Sequence, residues 1–140
     1  MMRKLVGALL GAVLCFIGAP AIAQQLFVYT VQPTASVNNA TIKAAPGSVL
    51  KVEAFNNSAT INYVRLYDAG AGFNGCGSAT NLRWQGLIPG STSGAGLSTT
   101  WGGDGMRFTT GIAICVTSGY AQNDTTAATA SALIVNIGYR

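Results

Sequence analysis

The sequence predicts an all-β fold: a single antiparallel β-sandwich, immunoglobulin-like or jelly-roll-like, of about six to eight strands, behind an N-terminal signal peptide. Three observations carry this. Short runs rich in β-branched and aromatic residues alternate apolar with polar side chains. Clusters of Gly, Pro, Asn and Ser punctuate those runs at close intervals. After Ala23 no stretch has the length and period of an ordinary helix, and Ala127 to Leu133 is the one candidate for a turn or two. An open barrel is the second architecture that fits this pattern.

Residues 1–23 have the makeup of an export signal. Arg3 and Lys4 open it, Leu5 to Gly18 is an almost unbroken apolar run, and Pro20-Ala21-Ile22-Ala23 ends in a small-x-small pattern before Gln24. The apolar run is shorter than the roughly 20 residues a membrane span needs, so no stable span is expected after cleavage. Cys15 sits mid-run and is followed by Phe16, which disfavours a lipid anchor there. The protein is therefore expected outside the cytoplasm, in a periplasm, at a cell surface or in a virion. Residues 24–140 suffice for one domain that buries roughly two thirds of the surface its unfolded chain exposes.

The first strand is Leu26 to Val31, aromatic and β-branched, ending before Pro33. Gln32 to Gly47 is polar and loop-like, with room for a short strand near Thr41. Ser48 to Phe55 sets Leu50, Val52 and Ala54 against Lys51 and Glu53, the pattern of a half-buried strand. Asn56-Asn57-Ser58 supplies turn chemistry, and Ile61 to Tyr67 resumes the alternation, so these two strands are expected to pair. On the second of them Tyr63, Arg65 and Tyr67 share a face that is expected to be solvated. Asp68 to Asn81, with Gly70, Gly72, Gly75 and Gly77, reads as a long loop; its glycines lack the spacing of a phosphate cradle. Further strands are expected at Leu82 to Ile88 and Leu97 to Trp101. Gly102-Gly103-Asp104-Gly105 predicts a hairpin turn into Met106 to Thr117, a run long enough that Gly111 should mark a bulge or bend. Gly119 to Ala130 is a polar loop, and Leu133 to Tyr139 alternates as a last strand.

With Cys15 lost in the signal, Cys76 and Cys115 form an even pair in an exported chain, which predicts a disulfide. It would close a loop of about 40 residues, for which chain entropy gives roughly 4 kcal/mol of stabilisation. The bond would tie the long glycine loop to the strand that begins near Phe108, the stretch around which the other strands are expected to wrap.

The chain contains no histidine, so Ser-His-Asp and Cys-His catalysis and histidine-ligated metal sites are excluded. Four acids remain, Glu53, Asp68, Asp104 and Asp124, three of them in expected turns where Asp bonds its own backbone. Asp104 alone among glycines cannot supply the several oxygens calcium needs. No catalytic residue, cofactor site or metal site is assigned, and an enzyme is not expected. Of the eight bases, Lys43, Lys51, Arg65, Arg83, Arg107 and Arg140 lie beyond the signal and stand singly along the chain, so nucleic acid is not an expected partner.

Tyr63-Val64-Arg65-Leu66-Tyr67-Asp68, Ile88-Pro89-Gly90, Phe108-Thr109-Thr110-Gly111-Ile112-Ala113 and Asn123-Asp124-Thr125-Thr126, with the closing strand to Tyr139, resemble small β-sandwich proteins of tailed phages and prophages. Across roughly residues 48–140 the resemblance implies a sandwich fold and a structural or decoration role in a virion. The signal peptide and the cysteine pair depart from that pattern and favour equally an exported relative at a cell surface. Two function classes follow. One is a non-catalytic structural module whose partner is itself or a larger surface or virion assembly. The other is a secreted ligand-binding module, for instance for glycans, in which Trp84, Trp101, Tyr63, Tyr67 or Tyr120 would stack on sugar faces. For both tryptophans, packing in the core is the competing expectation. Acceptor sequons for N-glycosylation stand at Asn39, Asn56 and Asn123.

Overall fold

A computed structural model describes residues 25–34 and 38–140; the signal-peptide assignment of residues 1–23 falls outside the described residues. Nine strands run in chain order: β1 Phe27–Val31, β2 Asn39–Lys43, β3 Gly47–Asn56, β4 Asn62–Asp68, β5 Leu82–Ile88, β6 Ala95–Thr100, β7 Met106–Phe108, β8 Ile112–Thr117 and β9 Leu133–Tyr139. They form two sheets in which every pairing is antiparallel. One has the order β1-β9-β3-β6 with β7 also on β3, and the other has the order β2-β8-β4-β5. This is the expected sandwich. No described residue is helical, so Ala127 to Leu133 forms no helical turn.

The inner faces make the main core. Val49, Val52 and Ala54 of β3 and Leu133, Val135 and Ile137 of β9 meet Val64 and Leu66 of β4 and Ile112, Ile114 and Val116 of β8. Period-two alternation puts these residues on one side of each strand, except in β3. There the register shift between Val49 and Lys51 turns Val49 inward and leaves Leu50, expected on the core face with Val52 and Ala54, lining an outer concavity beside Lys51. Most connections cross from one sheet to the other, which interleaves early and late strands and makes the core non-local.

Met106 to Thr117 divides at Gly111 into β7 and β8, which lie in different sheets. That division raises the strand number to nine. A Cβ on Gly111 would lie 2.6 Å from the Ala69 carbonyl oxygen and 2.7 Å from that of Lys43, so the crossing leaves no room for a side chain. The Asp68 carboxylate holds the bend. It accepts the backbone N–H groups of Thr109 (2.9 Å), Thr110 (2.7 Å) and Gly111 (3.3 Å), and the Thr109 hydroxyl at 2.8 Å. Burial by itself would raise this carboxyl, but those donors outweigh it and hold the pKa at about 2.

Two expected hairpins do not form. Strands β3 and β4 are not partners: β3 pairs with β9, β6 and β7, and β4 pairs with β5 and β8. The corner between them is a polar knot. Asn56, fully buried, donates to the carbonyls of Thr60 (2.8 Å) and Pro89 (2.9 Å) and accepts from the Ser58 amide and hydroxyl. Asn62, also buried, donates to Thr60 O at 2.9 Å. These side chains take up the backbone groups that a hairpin ladder would have used, and the chain steps to the other sheet. The glycine turn at 102–105 is the second case. Strands β6 and β7 both lie along the same side of β3, Thr100 opposite Lys51 and Met106 opposite Val49, so the turn loops out from one interrupted edge strand. Gly105 returns the chain to β3 with φ 74°, where a Cβ would sit 2.5 Å from Val49 O.

The outer face of β4 and β8 departs most from expectation. Arg65 and Tyr67 are fully buried, not solvated. Loop 69–81, fastened by the Cys76–Cys115 disulfide with 5.7 Å between the Cα atoms, packs over Tyr67, while Arg65 is held by the carbonyls of 119–121. Tyr67, Ala113 and Cys115 make a second, smaller core with Phe73 and Leu82 against it, and the Tyr67 and Phe73 rings stand 4.9 Å apart. Strand β8 is therefore buried on both faces, as befits the strand around which the chain was expected to be built.

Candidate functional site

The aromatic residues singled out in the sequence do not converge on one site. Trp84 and Trp101 meet edge to face with ring centroids 5.3 Å apart, and both pack partly against the main core. Tyr63 is half-buried and touches Tyr120, which is 75% exposed, at a ring distance of 5.6 Å. Tyr67 is inside the small core and cannot meet a ligand at the surface. Burial raises its phenol pKa, the Arg65 charge acting the other way, and its hydroxyl is a buried polar atom without a hydrogen-bond partner.

Arg65 anchors the loop that carries Tyr120. Its guanidinium donates to Gln85 Oε1 (2.7 Å), to the Thr117 hydroxyl (2.6 Å) and to the carbonyls of Gly119 (2.8 Å), Tyr120 (3.2 Å) and Ala121 (2.6 Å). No carboxylate lies within salt-bridge distance of it among the described residues. Asp124 shapes the same loop by accepting from the Gly119 amide at 3.0 Å and the Thr126 hydroxyl at 2.8 Å. Burial would raise the Asp124 carboxyl, yet these donors outweigh it and lower its pKa. Of the three sequons, Asn56 is buried and bonded at both ends of its amide, while Asn123 is exposed.

Two concavities border the sheet that contains β1. One, of about 310 Å³, is lined by Leu26, Val28, Leu50 and Trp101 together with Lys51, Glu53 and Asn136 among others. The other, of about 520 Å³, lies at the end of the sheet and is lined by Gln25, Phe27, Ser48, Asp104, Arg107 and Arg140. The bases that stand singly in the sequence are not scattered in space. Lys51 pairs with Glu53 at 2.7 Å and Arg65 is buried, but Lys43, Arg83, Arg107 and Arg140 all lie at the end that holds the larger concavity. Sequence gave no signal for this, because the four come from β2, β5, β7 and the end of β9.

The sheet edges differ in protection. Strand β2 carries Lys43 and a register shift, β5 carries Arg83 and a register shift, and the β6–β7 edge is broken by the 102–105 excursion. Strand β1 has none of these devices. Phe-Val-Tyr-Thr-Val runs in unbroken register with β9, without charge or proline, and Leu26, Phe27 and Val28 are 56%, 45% and 65% exposed. Among the described residues no group of three or more His, Cys, Asp or Glu could hold a metal ion, and no helix is long and apolar enough to cross a membrane. The disulfide fits an oxidising, extracytoplasmic setting. No protein-family model matches the chain, and no curated protein or solved structure matches it.

Proposed function

We propose that the protein is an exported, non-catalytic structural module that assembles with copies of itself or into a larger cell-surface or virion particle through β1. The observation that carries this is the unguarded β1 edge. Exposed strand edges pair readily with other chains, and proteins that stay apart blunt them with charge, proline or bulges. Here three edges are blunted and one is not. The apolar concavity of Leu26, Val28, Leu50 and Trp101 adjoins that edge, so a strand added to β1 would also cover apolar side chains on the sheet's outer face. The resemblance to phage sandwich proteins supports a structural role, and the disulfide supports a place outside the cytoplasm.

Hydrogen exchange tests it. Half the amides of an edge strand have no partner in the monomer. As protein concentration rises, the amides of residues 27–31 should gain protection while those of β5 do not, and Val28→Lys should abolish the gain. Exchange in β1 that is independent of concentration would remove this edge as the contact. The ligand-binding alternative has one observation in its favour, Trp101 at the wall of the apolar concavity. It requires tryptophan emission to respond to a soluble sugar.

A further inference from the structure

The cationic end of the sandwich has features that strand pairing at β1 does not use. Ser48 exchanges two backbone hydrogen bonds with Arg140, both 3.0 Å, and stands opposite Arg107 in the β3–β7 register. Arg107, Ser48 and Arg140 therefore form one cross-strand row, and residues opposite one another share a face of the sheet. Arg83 reaches this row from the other sheet, its guanidinium donating to Arg107 O at 3.4 Å. Lys43 reaches it from the β2–β3 turn: its Nζ would lie 3.1 Å from a Cβ on Gly47. Two cations, Arg107 and Arg140, thus line one open concavity, and two more, Arg83 and Lys43, lie beside its lining residues.

Two acids lie at this end, and they are disposed differently. Asp68 is spent on the backbone amides of 109–111. Asp104 makes a single 2.8 Å pair with Arg140, its side chain 90% exposed on the glycine loop, whereas the Arg140 side chain is only 21% exposed. A pair so open to water contributes little. Arg107 is exposed and has no carboxylate within salt-bridge distance among the described residues. An incoming anion therefore finds one free guanidinium and one held by a carboxylate that can swing away with its loop. The concavity has an apolar wall as well: Phe27 lines it, with its ring 5.7 Å from that of Tyr139. The volume of about 520 Å³ falls within the roughly 300–1,000 Å³ of small-ligand sites.

We propose that this concavity binds an anionic sugar, a ring bearing a carboxylate or phosphate, with the anionic group on Arg107 and Arg140 and the ring against Phe27. Guanidinium forks match carboxylate and phosphate oxygens, and an aromatic wall suits the apolar face of a sugar. A simple cluster of cations would hold any anion equally, so Phe27 distinguishes the proposal. Asp104 acts as the internal competitor that the ligand displaces. The site would let the module attach to acidic surface polysaccharide, and it stands whether or not β1 mediates assembly.

Calorimetric titration of residues 24–140 tests this with four probes: trigalacturonate, glucose 6-phosphate, neutral maltotriose and inorganic phosphate. Binding of the uronate identifies a carboxylated sugar and binding of the sugar phosphate a phosphorylated one; either supports the site. Maltotriose should not bind. For the sugar that binds, Arg107→Ala should weaken affinity by about tenfold or more, the worth of one charge-assisted contact. Asp104→Asn should strengthen it, and Phe27→Ala should weaken it without altering any response to phosphate. Arg107 and Asp104 are exposed, so these variants should keep the wild-type urea transition. Failure of both anionic sugars to bind would overturn the proposal. So would phosphate binding as tightly as either sugar, or affinity indifferent to Arg107.

Discussion

Replacing Arg65 by Met asks whether a buried cation held by loop carbonyls, not by an acid, fastens the 118–127 loop to the sheet. Methionine fills much of the same volume but donates nothing. The Thr117 hydroxyl and the carbonyls of Gly119 and Ala121, which receive the three shortest of these bonds besides the one to Gln85, lose their donor. The Tyr120 carbonyl takes the longest of the bonds, at 3.2 Å, and the half-buried Gln85 side chain can turn to water, so both are discounted. Three lost bonds at about 1 kcal/mol each give a destabilisation of about 3 kcal/mol, against a net stability of about 5–15 kcal/mol for a domain. With a urea slope near 2 kcal/mol/M, the midpoint should fall by about 1.5 M. The loss should be the same at low and high salt, because no carboxylate pairs with Arg65. The Tyr63–Tyr120 contact should loosen with it, seen as faster exchange of the 118–127 amides. A midpoint change under about 0.5 M would refute the argument, showing that water replaces the guanidinium at little cost. A loss that disappears at high salt would instead reveal an ion-pair contribution that the geometry lacks.

Other consequences follow from the same contacts. Reducing the Cys76–Cys115 bond, or replacing both cysteines by Ser, should cost up to about 4 kcal/mol and expose the Tyr67–Phe73 core to a hydrophobic dye; an unchanged urea midpoint would contradict the stapling role. Gly111→Ala should destabilise by about 1–3 kcal/mol, since its Cβ has no space between the carbonyls of Ala69 and Lys43, and a neutral result would mean that the β7–β8 crossing can shift. Asp68 has a folded pKa of about 2, below its ordinary 3.8, so its contribution is complete above that ordinary value and is lost as pH falls through about 2. In an acid titration of stability, Asp68→Asn should flatten that part of the curve; a variant that parallels the wild type would assign the acid loss elsewhere.

The sequence made the strands legible because alternation is a local property. β3, β5, β8 and β9 lie within a residue or two of where their patterns placed them, and the break at Gly111 was visible from run length. Pairing was harder, because it depends on which turn residues consume the backbone donors. Asn56 looks like hairpin chemistry in one dimension and, with Asn62 of the next strand, acts as a sheet-switching corner in three. The face of Arg65 and Tyr67 alternated like a solvated one, and it is buried by two loops, the one fastened by Cys76 over Tyr67 and the one bonded to Arg65 through the carbonyls of 119–121. The disulfide partners were readable by arithmetic, but the second core beneath the loop was not. Likewise the charge at the end of the sandwich arises from four single residues that the interleaved strand order brings together. The tryptophans divide between the two expectations: both pack on the core, and Trp101 also borders a concavity.

Assembly through β1 is the central claim, and the molar mass of residues 24–140 by light scattering over a concentration series, under oxidising conditions, tests it most directly. The account predicts a mass that rises with concentration to a discrete oligomer or a filament in the wild type, and a monomer at all concentrations for Val28→Lys with an unchanged urea transition. A wild-type chain that stays monomeric throughout, or a Val28→Lys chain that assembles as the wild type does, would contradict it.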